Sequence, residues 1–400
     1  MIKNKRLPAL EARYRISTPM FLGDASSDQC ADKIRPPSVK GALRFWWRAL
    51  AWGRLYTGDH NETLKDLHKE EGELLGYAAG GSDNKSENKG CQAAFRLRVH
   101  NDKSEKGREI LTGIDYLLGQ GITKRNEKMQ YLASGGSFTV SCYPNQTMTE
   151  TQHQQLEEAL LCLGLFGGLG ARSRKGLGSL SIQHLTGGSY SAPQNREEYC
   201  SLVARLLKNA ELARAEPPYS AFSSLSRIDI SSVGSDAFQL LLRLNDELQL
   251  YRSWGKDGRI LGQEAERNFI EDHKWAYQIA KGRAPNSHPD RIAFGLPHNY
   301  YLSSATDSKK YVDVNLLKNQ GQGRRASPLF SHVHCFANGD VILTQTLLQS
   351  LFLSGQQKLE VKCGSKKNKK TVCHVSATVN WSVIRKFMDR FEQREVIYGE

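Results

Sequence analysis

Pro36-Pro37-Ser38-Val39-Lys40-Gly41-Ala42-Leu43-Arg44-Phe45-Trp46-Trp47-Arg48 decides how the chain is read. The two prolines block helix upstream and Ser38 is a good cap, so the spacing predicts a helix over Ser38–Tyr56. At about 100° per residue, Val39, Ala42, Leu43, Phe45, Trp46, Ala49, Leu50 and Trp52 form one apolar sector. Lys40, Arg44, Arg48 and Arg54 fall opposite, with Trp47 among them. Such a helix covers a sheet with its apolar side. Its start carries unpaired N–H groups and partial positive charge, a candidate cradle for phosphates once Lys40, Arg44 and Arg48 are added. No carboxylate occurs in Lys33–Thr57, which favours phosphate contact over a solvated face. Trp46 reads as core. Trp47 reads either as an exposed indole on which a base stacks, or as packing against another subunit or a neighbouring insertion.

Upstream, Leu10–Ser17 alternates apolar and polar residues, the period of a half-buried strand. Downstream, residues 57–90 are polar and rich in Gly, Ser and Asn, and read mostly as a mobile insertion. Cys91–His100 and Gly136–Tyr143 read as strands. Thr149-Glu150-Thr151-Gln152 is a capping-box pattern opening a helix that Gly167-Gly168 stops, and Leu177–Leu185 reads as a further strand. Strand, helix, strand, strand, helix, strand is the split βαβ order of a ferredoxin-like (RRM-like) domain. The fold class expected is therefore α+β.

Gly187–Asn195 reads as a boundary, giving an N-terminal domain over 1–190 and a C-terminal domain over 191–400. Arg196–Ala215 reads as a connecting helix closed by Pro217-Pro218. Helical patterns follow at 235–252 and 264–281, strands around 291–302 and 329–347 with an Asn338-Gly339 hairpin turn, and a terminal helix near 380–394. A second, degenerate ferredoxin-like unit fits this order without visible sequence repetition.

With 400 residues the chain exceeds one ordinary core. Its 55 Lys+Arg against 42 Asp+Glu give a formal charge of +13, which favours a polyanionic partner. The start, Met1–Pro8, has cations without an apolar run, and no stretch approaches the ~18 apolar residues of a membrane span. The eight cysteines lack C-x-x-C spacing, so a disulfide framework or structural zinc site is not expected, and a reducing cytoplasm fits.

A second segment carries chemistry. Gly164–Gly178 holds six glycines and three cations (Arg172, Arg174, Lys175) in fifteen residues, with no acid. Glycines permit close backbone approach to a ligand, and interleaved cations offer charge-assisted bonds to phosphate oxygens. It is neither a Walker loop nor a dinucleotide fingerprint: Gly-Lys-Ser/Thr is missing and Ser173 stands where a third Gly is needed. Arg324 and Arg325 form a third basic loop, and Lys366–Lys370 reads as a solvated hairpin tip. His332 and His334 share one face of a strand near Cys335, but a further ligand pair is missing, and neither a metal nor a cofactor is expected. Asp24, Asp28 and Asp32 read either as turn residues or as Mg²⁺ ligands beside a phosphodiester.

Ser38-Val39-Lys40-Gly41-Ala42-Leu43-Arg44 resembles the Ser-x-Lys-Gly-x-Leu-Arg helix start of the CRISPR RAMP superfamily, and 164–178 resembles its glycine-rich signature. Arg35–Ala49, Thr18–Gly23, Ile292–Pro297 and Arg324–Pro328 resemble one branch, the first-numbered RAMP subunit of type III-B (Cmr) effector complexes. The resemblance implies two ferredoxin-like domains and a non-catalytic, RNA-binding role in antiviral defence. It also implies contact with guide and/or target RNA near the guide 3′ end and with other RAMP subunits; no membrane partner is expected, since no apolar span is present. Carried over, it places Ser38, Lys40, Arg44 and Arg48 on an RNA-facing helix and Arg172, Arg174 and Lys175 on the glycine loop. Two rival expectations stand beside it: a metal-dependent endoribonuclease using Asp24, and a protein scaffold whose basic surfaces meet acidic subunits.

Overall fold

The computed structural model describes residues 7–23, 33–77, 90–123, 130–255, 257–284, 287–306, 309–317, 324–353 and 357–399. Strand β1 (Leu10–Ile16) buries every second residue, as its alternation predicts. Helix α1 (Pro36–Leu55) begins two residues before the expected Ser38, with Arg35 as N-cap and Pro36 and Pro37 in its first turn. Proline suits that place because its missing N–H has no intrahelical partner there. Helix α2 (His60–Leu75) occupies nearly half of the segment read as a mobile insertion. It is capped by Asp59, whose carboxylate accepts from the N–H of Asn61 at 2.7 Å and of Glu62 at 2.9 Å. Leu67, Leu74 and Leu75 bury its inner face, and an apolar stripe spaced by threes and fours among charged residues is what the polar composition concealed. Residues 78–89 of that segment lie outside the described residues.

Strands β2 (Phe95–Lys103) and β3 (Lys106–Gly107), helix α3 (Asp115–Thr123) and strands β4 (Tyr131–Leu132) and β5 (Ser137–Pro144) follow. Helix α4 (Glu150–Leu165) opens on the expected capping box of Thr149 and Gln152, and β6 (Leu180–Thr186) completes the first sheet. The sheet runs β2-β5-β1-β6, all neighbours antiparallel. That order, with α1 and α4 in the two crossovers, is the split βαβ topology expected.

After α5 (Arg196–Asn209) the same topology recurs with long interruptions. The chain forms β7 (Arg227–Gly234), α6 (Ala237–Arg252), the short β8 (Arg259–Ile260) and β9 (Gln263–Glu264), α7 (Ile270–Ala280), β10 (His298–Tyr301) and β11 (Tyr311–Leu316). It continues with β12 (Leu329–Cys335), β13 (Val341–Leu347), β14 (Lys358–Gly364), β15 (Lys369–Ser376), α8 (Ser382–Met388) and β16 (Glu395–Tyr398). The order β12-β13-β7-β16 repeats that of the first sheet, with β7-α6-β12-β13-α8-β16 in the same roles. A separate sheet, β10-β11-β14-β15, is built from the two interruptions. Hence the second unit reads as degenerate: about half of its sequence belongs to insertions. Lys366 and Lys367 lie in the β14–β15 turn, as expected of a hairpin tip.

The chain separates into two compact units, and the division does not fall at the expected residue 190. One comprises Met1–Leu242, Phe330–Leu348 and Gln393–Glu400; the other Arg243–Leu329 and Gln349–Glu392. The reason is a shared core. Ile228, Ile230, Phe330 and Ile342 of the second sheet, and Phe336 just after β12, pack in the same cluster as Trp46, Leu160 and Ile182. The second unit has its own core around Trp275, Ile279, Val312, Val314, Leu359 and Val361.

Candidate nucleic-acid interface

The start of α1 offers no free backbone donors. Pro36 and Pro37 have no N–H, and the N–H groups of Ser38 and Val39 both bond the Arg35 carbonyl, at 3.0 and 3.3 Å. Ser38 is therefore the third helical residue and not the cap. The phosphate cradle expected here is not formed by the backbone, and any anion contact at this end falls to side chains.

The cations of α1 are mostly turned to carboxylates that the local sequence lacks. Arg44 Nη1 meets Glu71 Oε1 of α2 at 2.5 Å, and Arg44 Nη2 donates to the carbonyls of Leu75, at 2.9 Å, and Gly76. Arg48 Nε lies 3.4 Å from the other Glu71 oxygen, and Arg54 Nη1 lies 3.0 Å from Glu158 of α4. Trp47 is 1% exposed and its Nε1–H donates to Gln155 Oε1 of α4 at 3.0 Å. Of the two readings of Trp47, the exposed indole is not what the fold holds: the ring is core, because α2 and α4 cover α1 over a wider arc than one apolar sector. Lys40 stands apart: no carboxylate pairs with it among the described residues. Its ammonium pKa is lowered, first by burial and then by neighbouring Arg44.

Segments 36–48 and 164–178 do lie side by side. The Arg174 guanidinium stands 5.2 Å from the Phe45 ring centre and 4.4 Å from that of Phe330. Burial lowers the Arg174 pKa to about 10. Arg172 Nε donates to the Leu118 carbonyl at 2.9 Å, and Lys175 Nζ to that of Tyr116 at 3.4 Å. The glycines serve the protein's own backbone. Gly178 adopts φ +63°, and a Cβ there would lie 2.1 Å from the Leu169 carbonyl oxygen. The loop is bonded to the strand exit after β1: Gly178 N–H to Pro19 O at 2.9 Å, and Ala171 N–H to Phe21 O at 2.8 Å. Close approach is indeed what the glycines permit, but the approaching group is Thr18–Leu22.

In the other unit, Arg325 donates to Phe352 O at 3.3 Å and Gln357 Oε1 at 3.2 Å, which fixes the loop, while Arg324 is exposed. Asp24, Asp28 and Asp32 lie outside the described residues. His332 and His334 are buried. Their Nδ1 atoms sit 2.8 Å from Gly167 O and 3.1 Å from Gly164 O, so each ring donates from Nδ1. Burial depresses them to about 4 and about 3. Among the described residues no three His, Cys, Asp or Glu side chains gather as metal ligands, and no helix is long and apolar enough to cross a membrane.

Sequence reasoning missed the outer face of the first sheet. Arg13 and Arg15 on β1, and Arg96, Arg98 and His100 on β2, occupy the polar positions of the two alternating strands. Register places Arg96 opposite Tyr143 and His100 opposite Thr139, with Thr139 in turn opposite Arg13. Arg13 is paired to Asp102 at 3.5 Å. Where β2, the outermost strand, meets the start of α1, a cleft of about 520 Å³ is lined by Lys40, Gln92, Phe95, Arg96, Arg98 and Tyr143. The signal was present as cations repeating at period two.

Residues 13–181 match the RAMP superfamily. Two Pyrococcus furiosus proteins are similar in sequence. CRISPR system Cmr subunit Cmr1-1 is 26% identical over 234 residues, covering 55% of this chain and 65% of that protein. Cmr subunit Cmr1-2 is 28% identical over 191 residues, covering 42% of this chain and 91% of that protein. The chain thus spans somewhat under two thirds of the length of Cmr1-1. The crystal structure of apo Cmr1 from P. furiosus superposes over 98% of this chain and 99% of its own with TM-score 0.57 at 19% identity. A chain of the type III-B Cmr-beta complex bound to cognate target RNA superposes over 97% and 99% with TM-score 0.51 at 14% identity. The resemblance read from the helix start and the glycine loop agrees with all of these: residues 13–181 match the RAMP superfamily model, and the chain is similar, in sequence and in fold, to Cmr1.

Proposed function

We propose that this protein is a non-catalytic, RNA-binding subunit of a type III-B CRISPR interference complex. In this reading it sits among other RAMP subunits and contacts guide or target RNA near the guide 3′ end. The observation that carries the reading is the convergence of Lys40, Arg96 and Arg98 on one cleft with no carboxylate partner among the described residues. Elsewhere in the first domain Arg13, Arg44, Arg48 and Arg54 have acidic partners within the fold. Cations left without one lower their energy by taking an external anion, and the overall charge of +13 draws a polyanion toward them. Relatives named as Cmr subunits, and the likeness of fold to a chain from an RNA-bound Cmr complex, supply the biological setting. Arg172 and Arg324, both exposed, are proposed as peripheral phosphate contacts; Arg44, Arg48 and Arg174 are proposed to hold the surface in shape.

The test is a salt titration of full-chain binding to single-stranded RNA. Each phosphate neutralised contributes about 0.7 to the slope of log K against log salt. Replacing Lys40 and Arg96 with Ala is expected to lower that slope by about 1.4 if each holds one phosphate. Absence of RNA binding, or binding indifferent to salt, refutes the proposal. Cleavage of RNA with Mg²⁺ that disappears in Asp24→Ala overturns its non-catalytic part.

A further inference from the structure

We infer that the cleft at the junction of β2, β5 and α1 is a nucleotide pocket in which one unstacked base lies against Tyr143 while Lys40, Arg96 and Arg98 hold the flanking phosphates. The inference rests on the RNA-binding reading and sharpens it to one site. Tyr143 is 38% exposed, although a ring of that size on a sheet is ordinarily covered. The Arg98 guanidinium lies 5.5 Å from its ring centre, and Arg96 stands directly opposite it in register. Directly paired residues on one sheet face stand about 5 Å apart, so ring and guanidinium groups share one surface. An aromatic ring held beside arginine is a platform on which any base can stack.

The other wall has a different chemistry. Lys40 lines the cleft, part buried and beside Arg44, and both effects disfavour its charge. Gln92 is exposed and lines the cleft, with an amide able to meet a base edge. Phe95, almost fully buried, adds an apolar side chain to the lining. A volume of about 520 Å³ falls within the range of small-ligand pockets. A peptide carboxylate would use the cations and leave the exposed ring idle; a nucleotide uses both.

Full-length protein is titrated with short fluorescent oligouridine and with an abasic ribose-phosphate chain of equal length. Tyr143→Ala is expected to weaken oligouridine binding roughly 5- to 100-fold with the salt slope unchanged, and to leave abasic binding as it was. Tyr143→Phe and Tyr143→Trp are expected to bind like the parent, which separates stacking from a folding defect. Lys40→Ala weakens both ligands and lowers the slope by about 0.7. If the parent binds RNA with normal salt dependence and Tyr143→Ala matches it, or Tyr143→Phe loses as much as Tyr143→Ala, the pocket is overturned and the RNA-binding role stands. If the parent binds neither ligand, the RNA-binding reading itself fails and the pocket fails with it.

Discussion

Lowering pH from 6.5 to 5 should destabilise the first unit through two residues, His332 and His334. Both are buried on β12, with ring centres 5.9 Å apart and Tyr199 5.2 Å from His334. Each donates from Nδ1 to a carbonyl at the end of α4, and no Nε2 partner is found among the described residues. Charging either ring would strand a cation in apolar surroundings, so burial depresses the pair to about 4 and about 3 from an ordinary 6.5. Unfolded, both rings bind protons near 6.5. Their stabilising contribution is therefore complete above that pH and is lost as pH falls toward the folded values. Between pH 6.5 and 5 the linkage amounts to about 1.6 kcal/mol per histidine, about 3 together. This window lies mostly above the carboxylate range, and comparison with a single-histidine variant cancels what the acidic groups contribute. The assay is urea unfolding at a series of pH values, parent against His334→Asn, whose amide can still donate to Gly164. The variant should be less stable at pH 7 yet lose about 1.6 kcal/mol less than the parent on acidification. Equal losses in both proteins refute the reasoning.

Three further outcomes follow from the packing around α1 and the glycine loop. Trp47→Ala should cost about 3–5 kcal/mol in unfolding experiments, since the indole is core; a stable variant defective only in RNA binding contradicts this. Glu71→Gln should cost about 1–3 kcal/mol, because Arg44 and Arg48 lose their common carboxylate while staying part buried; denaturation midpoints measure it. Gly178→Ala combines a left-handed backbone with a Cβ overlapping the Leu169 carbonyl, and should cost at least about 2 kcal/mol. Thermal melting of this variant close to the parent's would show that the loop relaxes freely.

Local signals made the first domain legible. Strict alternation in Leu10–Ile16 and the Thr149/Gln152 capping box depend on neighbours in sequence, and each gave the element found. The second domain was harder to read because its six elements are interrupted twice, so β7 and β12, which share one sheet, stand about a hundred residues apart. No local pattern reports that they share it. Nor does one report that Phe330 and Ile342 join the core around Trp46, which is why the compact units ignore the boundary composition suggested.

Which cations find partners inside the fold was only partly legible, and the reason is electrostatic. A run without acids, as in Lys33–Thr57, says nothing about acids brought by other elements. Glu71 arrives on α2, whose polar composition masked it as insertion, and Glu158 on α4. Charge clustering along a sequence therefore overstates free charge in the fold. Alternation is the better guide, since a cation at every second residue of a strand faces outward wherever the other face is core. On that criterion Arg96 and Arg98 outrank Arg44 and Arg48, and Lys40 keeps its place only because no carboxylate reaches it among the described residues. The helix that first suggested a polyanion partner thus turns Arg44, Arg48 and Arg54 to internal carboxylates, while Arg96 and Arg98 on β2 have none among the described residues.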